Sequence, residues 1–297
     1  MLVTVTDGVA TGLRGDPDHP FTQGFLCSKV SKYLERSYHP GRLTTPLLRD
    51  GPKGSGRFRP IGWDEAVSRV AQAIEAARHS PEGPQSILPY SYAGTMGKLQ
   101  GSSLDRRLFH ALGASLLDRT ICATAGAAGC GITLGTRAVV DSEAIGENRL
   151  FINWGSNTAV TNSHLWVRMV EAQRRGATIV TIDPFQSRTA ERSDIWLPIR
   201  PGTDAALALG IALLRDNLVD RDYLARHAKG LEEFTRRAMA EYSPGQASVM
   251  CGLEEAAIEH LAKLYGTTRP SLIRLNYGLQ RHGGGGMAVR AISCLPA

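Results

Sequence analysis

Two apolar runs, LFINW at 150–154 and TIVTID at 178–183, flank the amphipathic stretch SHLWVRMVEAQRR, and this arrangement constrains the fold more than any other feature of the chain. Strands that are apolar at nearly every position, rather than at alternate ones, are covered on both faces, as in a parallel sheet. The helical stretch between the runs supplies the crossover, so the segment predicts a βαβ unit. Further units follow along the chain. DIWLPI leads through the loop RPGTD into the helix AALALGIALLRDN, and the helix EEAAIEHLAKLYG precedes the strand SLIRLNYG. The loop GLQRHGGGG then opens a terminal helix, MAVRAISCL. The expected fold class is α/β, with doubly wound, largely parallel sheets.

The N-terminal part reads differently. VTVTDGVATGLR at 3–14 forms two alternating runs about Asp7-Gly8, a dipeptide that favours a tight hairpin, and predicts a small β-lobe. GPKGSGRF is a glycine-rich loop, and WDEAVSRVAQAIEAARH, from Trp63 to His79, has helical spacing. SILPYSY, 86–92, reads as a strand, and LDRRLFHALG as a second helix.

Charge and cysteine usage limit the function. The 34 Lys and Arg against 28 Asp and Glu give a net charge of +6, scattered along the chain, which suits a phosphate-bearing small ligand. Without interleaved basic and aromatic residues, a helix-turn-helix or zinc-finger spacing, nucleic acid is not an expected partner. No apolar run reaches the ~18 residues of a membrane span, and the first residues carry no export signal, so the expected location is cytoplasmic. Cys27, Cys122, Cys130, Cys251 and Cys294 are far apart and form no CxxC pair, which argues against a disulfide framework.

In an open α/β sheet, ligands sit beyond the carboxyl ends of the strands, where loops meet helix N-termini. Gly155, Ser156 and Asn157 leave the first strand of the unit, Asp183 ends the next, and Gly202, Thr203 and Asp204 open the following helix. Each of these polar residues is also an ordinary turn or cap residue. No GxGxxG lies in the first βα turn, which argues against a nicotinamide-nucleotide enzyme on the same sheet.

The succession RGDPDHPFTQGFLCSK, HPGRLTTPLLR, WDEAV, TICATAG, FINWGSN, IDPFQSRTAERSDIWLPIRPGTDAAL and GLQRHGGG, in order over nearly all the chain, resembles the molybdopterin oxidoreductases. This is the superfamily of dimethyl sulfoxide reductase and formate dehydrogenase. The resemblance implies a molybdenum or tungsten ion held by two molybdopterin guanine dinucleotides, with a [4Fe-4S] cluster nearby. It also implies a small-molecule substrate, two-electron chemistry at the metal, and an electron-transfer subunit or redox carrier as partner. Cys27 matches the last of four cluster ligands and Lys29 the lysine between cluster and pterin. Cys122, in DRTICATAGAAG, matches the position whose side chain ligates the metal, and a soft thiolate suits molybdenum or tungsten. The other reading of Cys122 is a buried thiol at the start of a helix.

The same resemblance assigns Gly155, Ser156 and Asn157 to a phosphate loop, Asp183 to the guanosine ribose, and Gly202, Thr203 and Asp204 to the guanine end. Arg188 and Thr189 stand beside that site, and Gly278, Gln280 and Arg281 match a further pterin-contacting loop. His282, next in the same loop, has two readings, a further donor to the pterin or, as is commoner for a lone histidine after a strand, an ordinary polar surface residue, and is not counted among the site residues. The implied domains are 1–45, a remnant of the iron–sulfur lobe; 46–145, an α/β domain carrying Cys122; and 146–297, the dinucleotide-binding domain. No cysteine precedes Cys27, and the chain stops at AISCLPA within an expected helix, so a piece truncated at both ends is expected. The alternative is a non-catalytic remnant that keeps the fold without metal.

Overall fold

In a computed structural model of the chain, residues 1–92, 104–136, 140–204 and 206–297 are described. They divide into two compact units: 1–32 together with 120–297, and 33–119. The expected divisions at 45 and 145 thus differ from the compact units. Cys122 belongs to the same unit as the parallel sheet, because the helix that follows it packs there.

The first unit opens with the expected hairpin. β1 (Leu2–Thr6) pairs antiparallel with β2 (Val9–Arg14), and the turn places Asp7 at φ +51° and Gly8 at φ +78°. Two successive left-handed residues give the tight turn that matches strand twist. Beyond it, a Cβ on Gly15 would lie 1.9 Å from the carbonyl oxygen of Gly24, so residues 15–24 close into a compact loop only glycine permits.

The second unit holds α1 (Tyr33–Ser37), the antiparallel pair β3 (Leu47–Arg49) and β4 (Phe58–Pro60), α2 (Trp63–Arg78) and α3 (Leu104–Leu112). The glycine-rich stretch 51–57 is therefore the tip of a hairpin whose strands are too short to carry an alternation signal. The expected strand at 86–92 is absent: Gly83–Ser86 forms a 3₁₀ turn and 87–92 runs as irregular chain. Pro89 removes an N–H that a ladder would need, and Ser86 spends its hydroxyl on the Gly83 carbonyl, closing the 3₁₀ turn.

The first unit resumes with α4 (Thr124–Leu134), β5 (Leu150–Trp154), α5 (Thr158–Thr161), α6 (Ser163–Arg174), β6 (Thr178–Ile182) and β7 (Ile195–Leu197). It continues through α7 (Ala206–Arg215), α8 (Arg221–His227), α9 (Leu231–Glu241), α10 (Pro244–Cys251), α11 (Glu255–Thr267), β8 (Ser271–Leu275) and α12 (Gly285–Ile292). The helices α8–α10 fall in a stretch that the sequence reading left unassigned.

The four strands form one parallel sheet in the order β7-β6-β5-β8. Every residue of β5 is buried, as the continuous apolar run requires. One face packs Leu150, Ile152, Trp154, Val180 and Ile182 against α11 and α12; the other packs Phe151 and Ile179 against Leu165, Trp166 and Met169 of α6. Helices thus cover both faces, the doubly wound arrangement. The order reverses between β5 and β8, and at such a switch point the connections leave in opposite directions and open a crevice at the carboxyl ends of the strands.

Candidate functional site

A cleft of ≈ 200 Å³ lies at that switch point, lined by the ends of β5 and β6 and the loops that follow β5, β6, β7 and β8. It is smaller than a typical small-molecule pocket. Its walls are glycine where the chains crowd. Gly155 sits at φ +57°, and a Cβ there would lie 2.8 Å from the backbone nitrogen of Leu279. A Cβ on Gly278 would in turn lie 2.9 Å from the carbonyl oxygen of Gly155. The loops after β5 and β8 therefore touch backbone to backbone, a contact that glycine at both positions permits.

Of the expected residues, Gly155, Asp183, Gly202, Asp204, Gly278 and Arg281 line this cleft together. Asp183 follows β6; burial raises its carboxyl above the usual range, while the Phe185 N–H it accepts at 3.0 Å lowers it. Asp204 is turned inward. One carboxylate oxygen accepts from Trp154 Nε1 at 2.8 Å, the other faces His282 Nε2 at 3.7 Å, and its side chain is only 7% exposed. Burial raises its pKa most strongly, partly opposed by the Trp154 hydrogen bond and the nearby His282.

The remaining loop residues support the cleft from behind. Ser156 is buried, with its hydroxyl 2.9 Å from that of Thr158, which donates to Asn153 Oδ1 at 2.7 Å. Thr189 is fully buried; its hydroxyl donates to Asn157 Oδ1 and accepts from the Ala159 N–H, both at 2.9 Å. Thr203 donates to the Arg200 carbonyl at 2.7 Å, closing its own turn, and Arg188 is exposed. These side chains brace the loops that bear Gly155 and Gly202.

Sequence reasoning left His282 outside the expected site and passed over Trp154. His282 accepts from the Gly284 N–H through Nδ1 at 3.2 Å, and its Nε2 is buried with no hydrogen-bond partner beside Asp204. Trp154 is the last residue of β5, where the apolar run hides its role, and its polar contact lies fifty residues away. The motif letters GLQRH were the one signal available for the histidine.

Cys122 is not among the residues that line the cleft; it stands half-buried before α4. Arg281 Nη1 donates to the Ile121 carbonyl at 2.7 Å, and Gln280 Oε1 accepts from the Gly126 N–H at 2.5 Å. Behind it α4 rests on α12, so closely that a Cβ on Gly129 would lie 2.3 Å from the Gly286 carbonyl oxygen. Cys27 and exposed Lys29 stand apart from the cleft lining. Their segment docks on α6, where Phe25 meets His164 edge-on with centroids 5.2 Å apart and Gln23 accepts from buried Arg168.

Comparison with known proteins finds relatives along nearly the whole chain. The chain is 45% identical to the probable oxidoreductase YoaE of Bacillus subtilis over its whole length, which is 44% of that relative. It is 32% identical to the dimethyl sulfoxide reductase DmsA of Escherichia coli, covering 98% of this chain and 40% of the relative. Among solved structures, acetylene hydratase from Pelobacter acetylenicus matches with a TM-score of 0.74 and 25% identity, covering 94% of this chain and 38% of that one. The chain thus spans less than half the length of these relatives. The profile of the molybdopterin oxidoreductase Fe4S4 domain matches residues 1–39, and with the molybdopterin oxidoreductase profile matching residues 42–297, the chain belongs to the molybdopterin oxidoreductase family.

Proposed function

We propose that this chain forms the part of a molybdopterin-dependent oxidoreductase that holds one end of the pterin dinucleotide and presents Cys122 to its metal. Family membership implies a molybdenum or tungsten bis(molybdopterin guanine dinucleotide) centre together with a [4Fe-4S] cluster. The observation that carries the reading is the backbone cradle at the switch point. Gly155 and Gly278 admit no side chain, so their peptide groups face the ligand, as a phosphate-bearing group requires. The residues present fit a dinucleotide.

Within that reading, the loop at Gly155, Ser156 and Asn157 receives a phosphate, and Arg188, exposed one residue before the Thr189 that braces this loop, supplies positive charge to it. Asp183 accepts from ribose hydroxyls, and Gly202, Thr203 and Asp204 bound the guanine end. The unpartnered Nε2 of His282 is a donor already desolvated beside them, so it offers a hydrogen bond to an acceptor on the ligand. When bound, the metal centre supplies two-electron oxidation or reduction of a small molecule, and the thiolate of Cys122 is its protein ligand. A further subunit or carrier takes up or delivers the electrons.

The cluster fits less well. Cys27 is the single cysteine in residues 1–39, and among the described residues no group of three or more His, Cys, Asp and Glu could hold a metal ion. One thiolate does not by itself hold a [4Fe-4S] cluster, which takes four.

The test is elemental and nucleotide analysis of the anaerobically purified chain, made in cells that produce the dinucleotide cofactor. Near-stoichiometric molybdenum or tungsten, with guanine nucleotide released on denaturation, is expected, and Gly155→Val should lower both together. Absence of metal and nucleotide would instead favour the non-catalytic reading.

A further inference from the structure

Gln280 and Arg281 belong by resemblance to a pterin-contacting loop, yet their polar ends point elsewhere. Gln280 Oε1 accepts from the Gly126 N–H at 2.5 Å, four residues after Cys122. Arg281 Nη1 donates to the carbonyl of Ile121 at 2.7 Å, one residue before it. Two neighbouring side chains of one loop therefore grip the Cys122 turn on both sides.

The grip answers a local need. The first turn of a helix has N–H groups that the helix itself cannot pair, and the N-cap of α4 is Ala123, whose methyl group accepts nothing. Gly126, at the third helical position, is left to a partner from outside the helix, and Gln280 supplies the missing oxygen. Gly126 is buried, and a Cβ there would lie 2.9 Å from Gln280 Oε1, so the approach depends on glycine. The clamp itself is anchored. A Cβ on Gly285 would lie 2.3 Å from Gln280 Cα, which fixes the loop against the start of α12, and Arg281 lies 5.9 Å from the centre of the Tyr277 ring.

We infer that Gln280 and Arg281 are positioning residues for Cys122, setting where its thiol stands relative to the cleft that Arg281 itself lines. The role rests on the reading of Cys122 as the chemically active thiol, but the geometry does not depend on bound metal. Between them the two side chains serve an N–H donor and a carbonyl acceptor, so each has a conservative replacement. Gln280→Glu keeps an acceptor and Arg281→Lys keeps a donor, whereas Gln280→Leu and Arg281→Met keep neither.

The experiment is peptide-resolved alkylation of the full chain by iodoacetamide, together with amide exchange over residues 120–128. Gln280→Leu and Arg281→Met should each speed Cys122 alkylation and exchange of that segment by about fivefold to tenfold, the worth of one lost hydrogen bond. Gln280→Glu and Arg281→Lys should stay within about twofold of the native chain, with Cys251 unchanged in all four. Unchanged Cys122 in both apolar variants would overturn the inference, as would a parallel rise at Cys251. Acceleration confined to Cys122 in a chain that takes up no metal would uphold the clamp while rejecting the proposed function.

Discussion

β1 and β5 are both five-residue strands of the same compact unit, and they are stable for opposite reasons. Leu2–Thr6 is exposed along its whole length and is held by a tight turn and one partner strand, whereas Leu150–Trp154 is buried along its whole length between two neighbours and two helical layers. Sequence encodes the two in different registers: alternation around Asp7-Gly8 for the first, an unbroken apolar run for the second. A strand can therefore be specified by its turn or by its burial, and only the second kind can position a site.

The comparison is sharpest for side-chain truncation. Phe151→Ala, at a fully buried position, should cost about 3–5 kcal/mol in chemical denaturation, whereas Val5→Ala, at a position 61% exposed, should stay within about 0.5 kcal/mol. Equal effects would break the distinction. Next is Gly129→Ala, whose new methyl would meet the Gly286 carbonyl at 2.3 Å and should cost about 1–3 kcal/mol. Its neighbour on the same helix, Gly131, has open space, so Gly131→Ala should raise stability by about 0.5–1 kcal/mol. At the turn, Gly8→Ala must hold φ +78° and should weaken the hairpin by about 1 kcal/mol, read as faster amide exchange in β1 and β2 with the melting temperature little changed.

The smallest effect concerns Asp204. Its carboxyl is raised in the folded chain, so the protonated form is favoured there. The stability it contributes is present below the ordinary carboxylate value and is lost as pH rises through the raised one. Asp204→Asn keeps an acceptor for Trp154 and removes this titration. Its melting temperature relative to the native chain should rise from acid toward neutral pH, and a flat difference would show that burial does not govern this group.

The strands of the parallel sheet and its crossover helices were legible because period and apolarity are properties of neighbouring residues. So were the glycines of the cleft, since a loop between a strand and a helix is where a ligand meets backbone. The inward turn of Asp204 was not legible, because it depends on Trp154, and the hold of Gln280 on Gly126 depends on two loops distant in sequence. The strand expected at 86–92 failed where Pro89 and the 3₁₀ turn before it outweighed the β-prone residues.

The strand order carries a consequence for the timing of assembly. β5 can pair with β6 as soon as the intervening helices exist, but β8 joins it only after α5 through α11 have been made. Closing so long a loop is the slow, entropically costly event in such a topology. The peptide contact between Gly155 and Gly278 exists only once that strand has docked. A nascent chain would therefore display a nearly complete sheet before it owns a binding cleft, and any ligand of that cleft must wait for the last strand.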